Sequence, residues 1–100
     1  MTNEDAVPGP AAVIAEEEWH VAANAATALG GIGPEASEST PALLDALDHE
    51  EWHVRNGAAY ALGAIGSSSA VDQLRRLLQD EEPTVVKTAT EALASLEERP

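Results

Sequence analysis

Apolar residues recur at helical spacing in two long segments of the chain. In the later segment they fall at i, i+4, i+7, i+8 and i+11 on one helix face, at Val54, Ala58, Ala61, Leu62 and Ile65. The matching residues of the earlier segment are Val21, Ala25, Ala28, Leu29 and Ile32. A glycine follows each series, at Gly33 and Gly66, where a left-handed residue can end a helix at little cost. The pattern predicts two amphipathic helices that end at these glycines.

The two segments are copies of one repeat. Residues 17–33 and 50–66 are identical at twelve of seventeen positions, at an offset of 33 residues. A third, weaker copy begins at Glu81 and keeps the acidic pair, the valine and the Ala-Leu step. A repeat of this length predicts an array in which neighbouring units stack on one another.

Shorter amphipathic stretches between the copies supply the other half of each unit. Thr40-Pro41 is a start signal for a helix through PALLDAL, and Ser69 followed by Asp72 is one for AVDQLRRLLQ. Each unit is therefore predicted to be helix, tight turn, helix. The first unit has only PGPAAVIA before its long helix, which is too short for a full outer helix. We expect that end of the array to be either frayed or capped by another chain.

The segments VRNGAAYALGAIG and VAANAATALGGIG resemble the second helix of HEAT-like repeats, of the short kind found in phycobilin lyase subunits. The resemblance covers residues 11–97 and implies an all-α fold, a short right-handed α-solenoid of about three helix-turn-helix units. The units would span about 11–33, 34–66 and 67–97, preceded by an acidic, flexible N-terminus at residues 1–10. In that family the first helices form the convex side and the second helices line the concave side.

Composition and charge narrow the possible functions. One hundred residues form one small domain, and the absence of cysteine excludes disulfides. Eighteen acidic and five basic side chains give a net charge of −13, which repels nucleic-acid phosphates and anionic membranes, so neither is predicted as a partner. The chain has no apolar run of membrane-spanning length and no cationic signal peptide, which predicts a cytoplasmic protein. The acidity indicates either halophilic adaptation to a very salty cytoplasm or a face for a basic partner.

The segment HEEWH, residues 49–53, matches the H-E-x-x-H pattern of zinc metalloproteases. That site needs both histidines on one continuous helix, whereas the repeat alignment places a turn just before Trp52. The first copy carries Glu16 in place of His49, and the third copy has no histidine. We therefore expect no catalytic residues, no metal ligands and no cofactor, and we interpret the chain as a protein that is not an enzyme.

Polar and aromatic side chains of the second helices that lie away from the apolar face form the predicted partner-binding site. They are Trp19, His20, Asn24, Trp52, His53, Asn56 and Tyr60. The two tryptophans occupy equivalent positions one unit apart, either as exposed anchors for a partner or as lids over the alanine core. The sequence predicts a scaffold or adaptor that binds another protein on its concave face, and a basic partner is one of the two explanations of its acidity. The alternative is a metal- or chromophore-handling accessory enzyme related to HEAT-like lyases.

Overall fold

The fold of the described residues is entirely helical. The computed structural model describes the backbone of residues 10–98 and the side chains of residues 19–98, and this part of the chain contains no strand. Its α-helices are α1 (Pro10–Ile32), α2 (Thr40–Ala46), α3 (Trp52–Ile65), α4 (Val71–Arg76) and α5 (Pro83–Glu97). Three 3-10 segments, Gly33–Ser39, Ser68–Ala70 and Leu77–Gln79, connect them. The predicted all-α class is confirmed. Of the N-terminus predicted to be flexible, residues 1–10, only Pro10 is described, and α1 begins there.

The helices form two layers. Helix α3 lies between α1 and α5, while α2 packs on α3 and α4 packs on α5. The long helices α1, α3 and α5 therefore make an inner layer, and the short helices α2 and α4 make an outer layer. This is the arrangement of a short α-solenoid, in which each unit contacts only its neighbours.

The ends of the inner helices follow local sequence signals. Helices α1 and α3 stop before Gly33 and Gly66, whose φ values of 83° and 89° lie in the left-handed region that favours glycine. At the second of these ends, the backbone N–H groups of Gly66 and Ser67 both donate to the Leu62 carbonyl at 3.1 Å. The predicted C-terminal ends of both helices are confirmed.

The predicted start signals of the outer helices are wrong in detail. The N-cap residues are Ser39 for α2 and Ala70 for α4, and neither makes a side-chain capping hydrogen bond. A 3-10 segment runs into each helix, so both N-cap residues already have helical backbone angles, whereas side-chain capping needs a non-helical residue. The Thr40 hydroxyl instead pairs with the Ser67 hydroxyl at 2.8 Å, which links the second unit to the third.

The first unit differs from the other two. Helix α1 continues without a turn back to Pro10, so this unit consists of one helix and lacks an outer partner within the described residues. The apolar stripes of α3 and α5 are buried beneath α2 and α4, whereas most of the equivalent stripe of α1 is exposed. None of the helices in residues 10–98 combines the length and apolar character that a bilayer span requires.

Candidate functional site

The candidate site lies on the side of α1, α3 and α5 that faces away from α2 and α4, which we call the inner-helix face. Its side chains recur at equivalent places in successive units because the sequence repeats. Within each helix they share one side because they are spaced three, four or seven residues apart. Exposed side chains on this face are His20, Asn24, Thr27, Tyr60, Thr84, Lys87 and Glu91. The face therefore combines aromatic, amide, hydroxyl, ammonium and carboxylate groups over three neighbouring helices.

Four rings form a continuous row where α1 passes the start of α3. The centroids of the Trp19 and His20 rings are 3.5 Å apart, those of Trp19 and His53 are 4.6 Å apart, and those of Trp52 and His53 are 3.8 Å apart. The interplanar angles lie between 24° and 29°, so the rings are stacked. The contact between Trp19 and His53 joins the two units, because these residues belong to different copies of the repeat.

Both tryptophans are half-buried. They are therefore neither fully exposed anchors nor fully buried lids, which were the two alternatives that the sequence left open. Trp52 packs against the hydrophobic core and also stacks on the His53 ring. An aromatic side chain with one covered and one accessible surface is held rigidly and loses little conformational freedom when a partner binds. The row can therefore act both as a lid and as a contact surface.

Tyr60 lies two helical turns after His53 on the same side of α3 and is 44% exposed. On one side its ring lies against Gly30 of α1, where a side chain at residue 30 would collide with the ring. On the other side it borders a groove of about 240 Å³ between α3 and α5. The lining residues are Tyr60, Gly63, Ala64, Thr88, Glu91, Ala92 and Ser95.

The groove has an apolar floor and an acidic rim. Ala64 and Ala92 line it, and Thr88 and Ser95 add hydroxyl groups. Glu91 is the one ionisable carboxylate among the lining residues, and no ion pair within residues 19–98 includes it. The groove can therefore accept an aliphatic stem that carries a cationic head.

The segment HEEWH lies across the turn between α2 and α3, as predicted, because α2 ends at Ala46 and α3 begins at Trp52. The His49 ring accepts a hydrogen bond through Nδ1 from the Glu51 backbone N–H at 3.0 Å. His53 Nδ1 lies 3.3 Å from Glu51 Oε1. His49 thus supports the turn, and within the described residues no group of three or more His, Cys, Asp or Glu is placed to hold a metal ion.

A largely buried ion pair joins the turns that precede α3 and α5. Arg55 donates from Nε and Nη2 to the two oxygens of Asp80 at 2.8 and 3.0 Å, and from Nη1 to the carbonyls of His49 and Glu50. Burial raises the pKa of Asp80, but the hydrogen bonds from Arg55 and from the Glu82 amide, with the Arg55 charge, outweigh burial and lower it overall. With side chains 15% and 7% exposed, this pair is a clamp between units and not a partner contact.

This geometry of stacked helical pairs agrees with the comparison to known families. The HEAT-repeat family profile matches residues 7–94. The chain belongs to the HEAT-repeat family. No curated protein shows significant similarity to it. The match is to HEAT repeats in general, so the likeness to the phycobilin-lyase kind stays a prediction.

Two positions of α3 in the second HEAT unit are closely enclosed. Asn56, one of the predicted partner contacts, is half-buried, and its Oδ1 is buried and has no hydrogen-bond partner among the described residues. Gly57 lies where α1 and α3 approach closely, since an added Cβ would come 3.1 Å from the Ala23 carbonyl oxygen and 3.3 Å from Ala26 Cβ. Helix packing thus accounts for a glycine in the middle of this helix.

The sequence did not single out the groove of the HEAT array. Glu91 and Ser95 on α5 line it with Tyr60 and Ala64 on α3, and these pairs are about thirty residues apart in the chain. The third copy shares few residues with the second, so only its alignment with the second copy places Glu91 at the position equivalent to Tyr60. That alignment was the one sequence feature that could have predicted a groove between these two residues.

Proposed function

We propose that this chain is a protein-interaction module that binds a partner across its inner-helix face, on the concave side of the solenoid. HEAT repeats generally mediate protein–protein interaction, and the match over residues 7–94 supports this class of function. The observation that carries the proposal is the row of four stacked rings, continued along α3 by the exposed ring of Tyr60. Rigid aromatic side chains at the centre of a surface are the residues that most often dominate binding energy.

The chemistry of the groove favours a basic partner. A guanidinium group above the Tyr60 ring would gain a cation–π interaction, and its N–H donors could reach the Glu91 carboxylate. The methylene stem of the same side chain would lie along Ala64. The net charge of −13 would attract a basic partner over a distance set by the ionic strength. We therefore propose arginine as the side chain that the groove recognises.

The metal- or chromophore-handling alternative gains no support from the arrangement of side chains. The two histidines of HEEWH are engaged with Glu51 in and beside a turn, and His20 and His53 are stacked on the tryptophans. We keep the assignment of a binding protein that is not an enzyme as part of the proposal. It would be overturned by a tightly bound metal or chromophore in the purified protein.

The proposal is tested with a short peptide that contains one arginine between glycine and serine residues. In a nuclear magnetic resonance titration, this peptide should shift the backbone amide signals of Tyr60 and Glu91. The same peptide with citrulline, which keeps the shape but lacks the charge, should bind at least about tenfold more weakly, because it loses the charge-assisted bond and the cation–π interaction.

Two variants that each remove one negative charge distinguish binding in the groove from general attraction to an acidic chain. Glu91→Gln should abolish the shifts around the groove, whereas Glu35→Gln, at an exposed position outside it, should leave them unchanged. Equal weakening by both variants would mean diffuse attraction to an acidic surface and would overturn the role of the groove. Tyr60→Ala should weaken binding without unfolding the protein, because this side chain is 44% exposed.

A further inference from the structure

One face of α1 has the apolar character of a core face, and no part of the chain that the structure describes covers it. It consists of Val21, Ala25, Ala28 and Ile32, which we call the open stripe. Val21 is 66% exposed and Ile32 is 56% exposed, and both alanines are exposed as well. Val21 and Ile32 are two of the four large apolar residues that are exposed within residues 19–98. An apolar face of this kind on a soluble domain commonly marks an interface.

The same stripe in the other units shows what type of element covers it. The residues equivalent to Val21 and Ile32 are Val54 and Ile65, which are 1% and 5% exposed. In that unit the amphipathic helix α2 packs on α3 from the outer layer, and its Leu43 belongs to the same buried core cluster as Ile65. The open stripe therefore has the shape and chemistry to receive one more helix.

The charge distribution indicates which helix this is. Residues 19–34 contain no acidic residue, lysine or arginine, although the whole chain has a net charge of −13. A second copy of the chain would be repelled at most of its surface, but two of these segments can meet with no carboxylate inside the contact, because residues 19–34 carry none. The neutral segment is also the one that contains the open stripe.

We propose that a second copy of this chain covers the open stripe, with the two α1 helices packed antiparallel about a two-fold axis. In this register Val21 faces Ile32 of the second copy, and Ala25 faces Ala28 of the second copy. The contact is isologous, because the same four residues serve both sides. Each α1 helix then takes the place that α2 occupies on α3.

The order of residue sizes along the open stripe fits this pairing. Crossing helices approach most closely at one point and diverge on either side of it, and small residues permit the closest approach. The two alanines lie in the middle of the open stripe, and the larger Val21 and Ile32 lie at its ends. Antiparallel pairing places the alanines at the crossing point and the larger residues where the space between the helices widens.

Sedimentation equilibrium tests the proposal directly. The protein should dimerise reversibly, with a dissociation constant no higher than about 1 mM. The association should strengthen from dilute buffer to about 2 M potassium chloride, because salt screens the repulsion between the two acidic chains. Ile32→Glu should raise the dissociation constant at least about tenfold, because it places a carboxylate in the apolar contact.

Leu78→Glu is the matched control, since it adds the same charge at an apolar residue that is 36% exposed and lies outside α1. It should leave the dissociation constant nearly unchanged, while circular dichroism confirms that both variants are folded. Equal weakening by both variants would assign the effect to net charge and overturn the proposal. A wild-type protein that stays monomeric at high salt and high concentration would also overturn it.

Cysteine cross-linking tests the register, because the chain contains no cysteine of its own. A mixture of the single variants Ala25→Cys and Ala28→Cys should oxidise mainly to the mixed disulfide, since the two residues face each other only in antiparallel pairing. Faster cross-linking of each variant with itself would indicate parallel pairing and contradict the proposal. Tyr60→Ala should not affect dimerisation, so failure of this proposal and failure of the inner-helix face are distinguishable.

Discussion

The first and second inner helices differ in their surroundings far more than in their sequences. Residues 17–33 and 50–66 are identical at twelve of seventeen positions, yet Val21 is 66% exposed and its counterpart Val54 is 1% exposed. Helix α3 packs against α1, α5 and α2, whereas α1 packs mainly against α3 and the 3-10 segment that follows it. The comparison teaches that burial in a repeat protein depends on the position of a unit in the array.

The electrostatic contacts of the two regions differ in the same way. Arg55 in α3 reaches Asp80 and the carbonyls of the turn before its own helix. The equivalent residue of α1 is Ala22, which has no such reach. The second unit is thus tied to the third by a specific ion pair, while helix packing and the stacked rings of Trp19 and His53 join the first unit to the second.

The largest expected difference comes from one substitution made in both regions. Ile65→Ala should lower the free energy of unfolding by about 2–4 kcal/mol, because it leaves a cavity beneath the outer layer. Ile32→Ala should change it by less than about 0.5 kcal/mol, because the side chain is 56% exposed. Urea unfolding followed by circular dichroism in dilute solution measures both. Equal losses would mean that the open stripe is covered within the monomer.

Removal of the clamp should have the next largest effect. Arg55→Ala should lower the free energy of unfolding by about 2–3 kcal/mol, because it leaves the Asp80 carboxylate buried without its partner. Arg75→Ala is the control, since the pair of Arg75 with Glu97 is more than half exposed and should contribute less than about 1 kcal/mol. Similar losses in the two variants would contradict the special role of the clamp.

The clamp also predicts a dependence of stability on pH. Because the pKa of Asp80 is lowered in the folded protein, its contribution is fully present above the unfolded pKa of about 3.9 and is lost as the pH falls through the folded value. Without Arg55, burial dominates and the pKa of Asp80 rises, so protonation relieves the penalty. The melting temperatures of wild type and Arg55→Ala should therefore differ less at pH 3 than at pH 7. The same difference at both pH values would show that Arg55 does not stabilise the fold through the Asp80 carboxylate.

Two glycines should respond in opposite directions to alanine. A Cβ on Gly63 would come 2.9 Å from the Ala92 Cα atom, so Gly63→Ala should force α3 and α5 apart and destabilise the protein by about 1–3 kcal/mol. A Cβ on Gly31 would meet no atom within 4 Å, so Gly31→Ala should stabilise α1 by about 0.5–1 kcal/mol through helix propensity. Melting temperatures that shift in the same direction would contradict this difference in helix packing.

A modest loss of stability is expected from a substitution in the turn before α3. His49→Ala should lower the free energy of unfolding by about 0.5–1.5 kcal/mol, because the Glu51 amide loses the acceptor that it has at 3.0 Å. His49→Asn offers another side-chain acceptor and should recover part of the loss. Urea unfolding measures the free energy of unfolding of wild type, His49→Asn and His49→Ala, which should decrease in that order. An unchanged value for His49→Ala would show that water replaces the His49 ring as the acceptor for the Glu51 amide.

Much of the fold follows from local signals in the sequence. The 33-residue offset, the helical spacing of the apolar residues and the two terminal glycines predicted the inner helices and their ends. The same alignment predicted that HEEWH crosses a turn. These features depend on residues within a few positions of one another, since helix periodicity and glycine termination are short-range effects.

The candidate site could be predicted only in part. Equivalent positions in the repeats located His53 and Tyr60 on one side of α3, but the contact of His53 with Trp19 joins residues 34 positions apart. The burial of the Asn56 Oδ1 atom and the position of Glu91 in the groove between α3 and α5 depend on how closely separate helices approach. No pattern within a single helix encodes that distance.

The sequence by itself determined the repeat, the helical class, the inner-helix ends and the acidic, cysteine-free character of the surface. The tertiary structure alone decided which copies of the apolar stripe are buried, that α1 runs straight back to Pro10, and that Arg55 pairs with Asp80. The physical reason is the range of the interactions. Periodicity and helix termination act within one or two turns, whereas burial and ion pairing require a second element, and a repeated sequence does not state whether that element is present.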